Sequence, residues 1–343
     1  MSKILIIRFS ALGDVAMTIP VIYSLAKAYP MDEIKVLSRD SFETLFQNLP
    51  SNVHFIGADF HGKHKGFAGL NKLFHELKLE KFDYVADFHT VLRSNYLRFR
   101  FGLLGIKTSC FDKGRSMKKK LTRKKDKYFH QIKSSFVRYA EVLERLDFRF
   151  QFVFNSVFDE NPADFSRIIS QTGEKAEQKW LGIAPFAKHQ GKIYPLELQE
   201  KVIAHFAADE RVKMFVFGGG KAEKDIIDCW ASAYPSVMSA VGKFTMSDEL
   251  ILMNKLDIMY SMDSANMHMA SLAGTPVVSL WGATHPYAGF MGWNQSIENA
   301  VQVDLECRPC SIYGNKPCFR YDYACLNQIT PEMIIKRIEK LLF

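Results

Sequence analysis

Four stretches of this chain carry polar groups with the types and spacing for chemistry on a phosphate-bearing substrate. In Met259 to Gly282, Asp263 and Ser264 follow the apolar run Asp257 to Met262, and His268 lies four residues beyond Ser264, on one helix face. A helix starting here aims its first N–H groups at whatever sits beyond the strand end, which favours an anion such as a diphosphate. An ordinary βαβ turn with a serine cap fits the same residues. Ser10-Ala-Leu-Gly-Asp14 places a carboxylate after the first strand, either as a general base or as a helix cap. Lys188 and Lys192 follow another strand end, where a lysine can neutralise a leaving diphosphate and can equally belong to a solvated loop. Phe217-Gly-Gly-Gly-Lys-Ala-Glu223 offers backbone donors, including Gly219, and a carboxylate suited to a ribose. Three adjacent glycines are also an ordinary turn, and neither a GxGxxG fingerprint nor a P-loop is present.

These residues need rigid elements to hold them, and the hydrophobic pattern supplies strand and helix in alternation. Expected strands are Lys3 to Arg8, Ile34 to Ser38, Val53 to Ile56, Phe82 to Phe88, Ile106 to Phe111 and, weakly alternating, Phe150 to Phe158. Expected helices are Val15 to Tyr29, Ser41 to Asn48, Leu70 to Leu79 and Phe129 to Leu146, with Tyr96 to Leu104 mixed. A polar stretch, 161–179, reads as a crossover. Strands then recur at Leu181 to Phe186, Lys213 to Phe217 and Thr275 to Trp281. Between and after them come helices over Leu196 to Ala208, Glu223 to Tyr234, Met246 to Leu256 and Thr330 to Leu342. Two successive βα repeats predict an α/β protein of two Rossmann-like domains facing a central cleft: 1–160, a linker 161–179, and 180–343.

At 343 residues, with 48% hydrophobic content and 28 Phe, the chain has material for two cores. The net charge of +8 suits a phosphorylated substrate, an anionic membrane surface or nucleic acid. Only four apolar residues precede Arg8, so no signal peptide is expected, and no apolar run is long enough to span a bilayer. The expected location is the cytoplasm. The strongest charge run, Lys113 to Lys127, is a solvated loop or a contact for phosphorylated headgroups, with Lys118, Lys119 and Lys120 at its centre. It lacks interleaved aromatics, which argues against nucleic acid. Cys307, Cys310, Cys318 and Cys325 crowd one segment. Their uneven spacing favours reduced structural thiols over a zinc site, and no metal is assigned.

Together these motifs resemble glycosyltransferase family 9, the bacterial heptosyltransferases of lipopolysaccharide core synthesis. The resemblance spans nearly the whole chain. It is carried by Ile4 to Val15, Asp87-Phe-His-Thr-Val-Leu-Arg-Ser94, Asp263 to His268, Gly274 to Pro286 and the tail at Cys325 to Glu332. It implies a GT-B fold with the acceptor on the first domain and the nucleotide-sugar on the second. It also implies inverting, metal-independent transfer from ADP-heptose to a phosphorylated glycolipid at the inner membrane face, with no cofactor. By position, Asp14 matches the general base and Lys192 the lysine at the donor phosphates. Glu223 matches the acid at the ribose, Asp263 the acid at the sugar hydroxyls, and Ser264 with Ala265 the diphosphate cradle. His268 is a donor-site residue or a buried helix histidine, and Arg93 belongs to the acceptor side. Three departures surround the donor pocket: Ala265 where glycine is common, His285 where a carboxylate is usual, and Pro185 to Lys188 without hydroxyls. A non-catalytic nucleotide-sugar binder, a different donor, and a two-domain oxidoreductase remain as rival readings.

Overall fold

A computed structural model describes residues 1–343. It contains two parallel sheets, each belonging to its own compact unit: 1–115 with 133–161, and 116–132 with 162–343.

In the first unit the strands are β1 (Lys3–Ile7), β2 (Glu33–Arg39), β3 (Val53–Ala58), β4 (Tyr84–Asp87) and β5 (Lys107–Cys110), in the order β3-β2-β1-β4-β5. The run Lys-Ile-Leu-Ile-Ile makes β1 a central strand because it is apolar on both faces, as a parallel strand covered by helices must be. Helices α1 (Leu12–Ala16), α2 (Ile19–Ala28), α3 (Gly66–Lys78), α4 (Leu92–Leu103) and α6 (Ser135–Glu144) join them, while α5 (Arg115–Leu121), between β5 and α6 in the chain, belongs almost wholly to the second unit.

The second unit is built on β6 (Lys179–Ala184), β7 (Val212–Val216), β8 (Val237–Ser239), β9 (Ile258–Met262), β10 (Val277–Leu280) and β11 (Ala300–Val301), ordered β11-β10-β9-β6-β7-β8. Its helices are α7 (Ser166–Thr172), α8 (Leu196–Ala207), α9 (Gly220–Ala233), α10 (Met246–Lys255), α11 (Ala265–Leu272), α12 (Ala324–Asn327) and α13 (Pro331–Leu342). Trp180 and Trp281 lie wholly inside this unit. Ile334, Ile338 and Leu342 recur at helical spacing and bury one face of α13. Each contributes about 1.5–3 kcal/mol relative to exposure.

Several elements differ from the sequence-based expectation. The helix expected over Val15 to Tyr29 is two helices. Thr18 Oγ1 bonds back to Val15 O at 2.7 Å, and Pro20, which has no N–H to give to a preceding turn, sits in the first turn of α2. Phe150 to Phe158 forms no strand; the Val153 amide is taken by Ser24 Oγ and the Arg149 amide by Tyr29 Oη, so side chains replace a ladder. The helix expected from Phe129 begins only at Ser135, capped by Ser134, and all of Tyr96 to Leu104 but its last residue is part of the regular helix α4. The segment expected as a pure linker contains α7. The largest difference concerns the basic run. It begins as α5, and 116–132 joins the second unit although its chain neighbours on both sides belong to the first.

Candidate functional site

Chain order reverses in each sheet at one place. In the first sheet, β2 and β3 extend to one side of β1 while β4 and β5 extend to the other. In the second, β7 and β8 lie to one side of β6 and β9, β10 and β11 to the other. Loops leaving the carboxyl ends of such strands diverge and leave a crevice, the common ligand position in open α/β sheets.

At the β1/β4 reversal, Arg8 and Asp14 form an ion pair, Nη2 to Oδ2 at 2.8 Å. The arginine is 8% exposed and the carboxylate 36%. Asp14 Oδ2 also accepts the Ala11 amide at 3.3 Å, so this one carboxylate both caps α1 and remains open to solvent. Arg8 is aimed by a bond from Nη1 to Phe88 O at 2.8 Å. Asp87, wholly buried at the end of β4, accepts the His89 and Thr90 amides on Oδ1 at 2.9 and 2.8 Å and thereby sets the loop. The Phe9 amide points to His89 Nδ1 at 3.4 Å, which places that ring's proton on Nε2. Burial, then the nearby Arg8, push His89 down to about 3, with Asp14 opposing and Lys113 and Arg39 adding. Burial followed by Arg115 and Arg8 also lowers Lys113 from the ordinary lysine value. Positive groups therefore crowd Asp14, an environment that attracts an anionic molecule. Arg93 stands apart from this cluster's ion pairs; its guanidinium lies over the Phe60 ring, 4.6 Å from the centroid.

At the β6/β9 reversal, Lys192 and Asp263 form the second pair, Nζ to Oδ2 at 2.9 Å, with side chains 16% and 4% exposed. Lys192 ends a tight 3₁₀ turn, Gln190–Lys192, that presses on the 282–284 loop through the Ala283 amide to Gly191 O bond at 2.8 Å. A Cβ at Gly191 would stand 2.9 Å from Ala283 Cβ and from Gly314 O. Gly314, at φ +72°, leaves room for the lysine stem, since a Cβ there would meet Lys192 Cγ at 2.7 Å. Ser264 occupies the cap position of α11, yet its hydroxyl makes no cap bond and instead meets Ser261 Oγ at 3.3 Å. The first-turn amides of α11, beginning at Ala265, are thus not taken by that side chain. His268 is buried on the next turn. At the end of β7, Glu223 Oε2 accepts the Gly219 amide at 2.7 Å. Gly219 was expected to offer that N–H to a nucleotide; within the folded chain Glu223 holds it, because the carboxylate sits in the first turn of α9 facing back over the loop.

Lys118 does not face solvent as expected. It is 8% exposed with its ammonium 4.4 Å from the centroid of Phe290, because α5 packs this face within the second unit, while Lys119 and Lys120 are exposed. His285, the departure expected to bear on the donor, instead accepts the Tyr287 amide and packs against Phe129 of 116–132. Burial, then Arg308 and Lys127, push it down to about 4, so it is a neutral ring that seats an aromatic neighbour.

Sequence reasoning missed Arg308. Its buried guanidinium donates to Gly282 O at 2.6 Å, Trp281 O at 2.9 Å, Thr284 O at 3.0 Å and Gln302 Oε1 at 2.9 Å, tying down the loop against which the Lys192 turn rests. Burial brings it down to about 10. The only sequence signal was its place inside Cys307-Arg-Pro-Cys310. Those two thiols line a small cavity with Cys318 and Cys325; all are free, and burial pushes Cys325 up to about 12.

Comparison with known proteins sets this geometry in context. Residues 70–317 match the glycosyltransferase family 9 (heptosyltransferase) family. Lipopolysaccharide core heptosyltransferase OpsX of Haemophilus influenzae is 26% identical over 298 residues, 82% of this chain and 79% of that protein. A family 9 glycosyl transferase from Veillonella parvula shares the fold with a TM-score of 0.76 at 21% identity, covering 99% of this chain and 97% of its own. E. coli ADP-heptose lps heptosyltransferase II superposes with a TM-score of 0.71 at 17% identity, covering 99% and 98%.

Proposed function

The chain belongs to glycosyltransferase family 9, and from that membership we propose that it transfers a heptose from ADP-heptose to an anionic acceptor of the lipopolysaccharide-core type, with inversion and without a metal ion. The observation that carries the reading is the Lys192–Asp263 pair at the β6/β9 reversal, beside the α11 amides, with Glu223 following the neighbouring strand β7. The pair brings a cation, a carboxylate and helix N–H groups to one sheet end. A nucleotide diphosphate needs those groups together.

In this reading Lys192 turns from Asp263 to the donor phosphates, and the freed carboxylate accepts hydroxyl protons of the sugar. Asp14 takes the proton of the acceptor hydroxyl as that oxygen bonds to the anomeric carbon. The bond from that carbon to the diphosphate oxygen breaks on the opposite face, and ADP leaves with the electron pair. Lys192 and the α11 amides stabilise the growing charge where it develops. Arg8, Lys113 and Arg39 favour an acidic acceptor beside Asp14. Glu223 is the candidate ribose partner, exchanging the Gly219 amide for ligand hydroxyls. The enzyme works in the cytoplasm on a membrane-borne acceptor, and no helix of the chain is long and apolar enough to cross a membrane.

Calorimetry with ADP, UDP, GDP and ADP-heptose, followed by transfer to a heptose-free core acceptor, tests the reading. Preference for ADP and ADP-heptose together with turnover is the expected result. Preference for UDP or GDP overturns the donor, and tight ADP-heptose binding without turnover on any core acceptor overturns the transferase assignment.

A further inference from the structure

The segment 116–132 is pinned to the second unit along its length. Lys127 Nζ donates to Glu306 O at 2.9 Å and Arg308 O at 2.8 Å, the Ile132 amide donates to Tyr287 O at 3.0 Å, and Phe129 packs on His285 and Tyr287. Between these anchors the loop 122–125 faces the loop 306–320 across an open basin. Its lining includes Arg123, Lys124, Lys125, Lys316 and Arg320 against one carboxylate, Glu306. Arg320 is paired with Asp322 at 2.9 Å, and Lys124 lies 4.6 Å from the Phe319 centroid. Arg123, Lys125 and Lys316 are exposed and have no acidic partner. Phe319 is 43% exposed and Tyr321, two residues on, 92%.

From this juxtaposition we infer that the face formed by loops 122–125 and 306–321 docks the protein on an anionic bilayer surface. Like charges held close together and outnumbering the acids beside them raise the local potential and cost stability unless an anion meets them. The cations are exposed side-chain ends, with no buried donor aimed into the basin to select the geometry of one phosphate. What they present is a field, and a field suits many headgroup phosphates at once. Aromatic side chains beside such cations match the headgroup zone, where one end of the ring is wet and the other apolar. The backbone anchors keep the cations in place before contact, so little ordering entropy is lost on docking.

The inference rests on the proposed function only in that the acceptor is membrane-borne, and its test is separate from turnover. Co-sedimentation is measured with phosphatidylcholine vesicles and with vesicles that also contain phosphatidylglycerol, at low and high salt. The wild-type chain should bind the anionic vesicles only, and less as salt rises. Each basic residue near such a surface is worth about 1 kcal/mol, so replacing Arg123, Lys125 and Lys316 together by Ala should weaken binding on the order of 100-fold. ADP affinity and transfer to a soluble, delipidated acceptor should stay unchanged in that variant, which also shows that it folds. Tyr321→Ala, at a fully solvated position, should give a several-fold loss on the same vesicles. Equal binding to both vesicle types, an unaffected triple variant, or displacement by inorganic phosphate at matched phosphate concentration overturns the proposal, the last in favour of a small-anion site. Loss of turnover with vesicle binding intact counts against the transferase reading alone.

Discussion

The two sheet reversals carry the same kind of contact, a carboxylate and a cation at under 3 Å, in opposite surroundings. At β1/β4 the arginine is buried and the carboxylate of Asp14 is partly open. At β6/β9 the carboxylate of Asp263 is buried and the lysine reaches it from the more exposed side. An open carboxylate can approach a hydroxyl and take its proton. A buried one stays with its partner, because separating the two would leave charge in an apolar setting. The contrast teaches that distance alone does not assign a role to an ion pair; which partner is solvated does.

Replacing Asp14 by Asn tests the open half most directly. Turnover should fall ~10²–10⁴-fold, the usual worth of a general base. Denaturant stability should fall as well, because the buried Arg8 loses its carboxylate partner, while calorimetric ADP-heptose affinity should hold. A variant that keeps its rate breaks the comparison at its first term. Lys192→Ala probes the buried half. It leaves Asp263 uncompensated, and losing one partner of a buried pair costs about 3–5 kcal/mol. Equilibrium unfolding should show that loss together with weakened ADP binding, and adding Asp263→Asn should recover stability without recovering ADP.

Glu249 sharpens the contrast because it is a largely buried carboxylate in the same unit with no basic partner. Burial first, then Asp248, push it up to about 7 from 4.5. A raised carboxyl pKa favours the protonated fold, so its contribution is fully present below about pH 4.5 and is lost as pH rises through 7. Glu249→Gln should therefore be more stable than wild type by about 1–3 kcal/mol at pH 8, with the difference vanishing by pH 4 in paired melts. The smallest effect is expected from Gly314→Ala. A left-handed residue with a Cβ costs about 1–2 kcal/mol, and the new methyl crowds the Lys192 stem. ADP affinity should fall several-fold while acceptor affinity stays put; weakened acceptor binding would mean that the two reversals do not act separately.

Much of this was legible before any coordinates. Continuous apolar runs such as Lys3 to Arg8 and Asp257 to Met262 announce central parallel strands, because a strand buried on both faces has no polar side to show. The polar residues just after them, Asp14 and Asp263, followed from the same pattern. Arg308 was not legible, since its role depends on carbonyls of residues 281–284 that are remote in sequence. Gly314 could be read as a loop glycine but not as the floor under Lys192. The exposure of Lys118 was misread because a lysine stem can lie along apolar surface while its charge rests on an aromatic face, and composition does not record which neighbour arrives.

Local pattern alone determined that this chain makes two runs of alternating strand and helix and that acids and a lysine follow particular strands, because periodicity and turn chemistry act over a few residues. Tertiary structure alone decided that Lys192 meets Asp263, that Glu223 turns back on Gly219, and that 116–132 leaves its chain neighbours for the second unit. Each of these depends on which distant backbone groups need a partner once strands are stacked, and that accounting closes only when the whole sheet is in place.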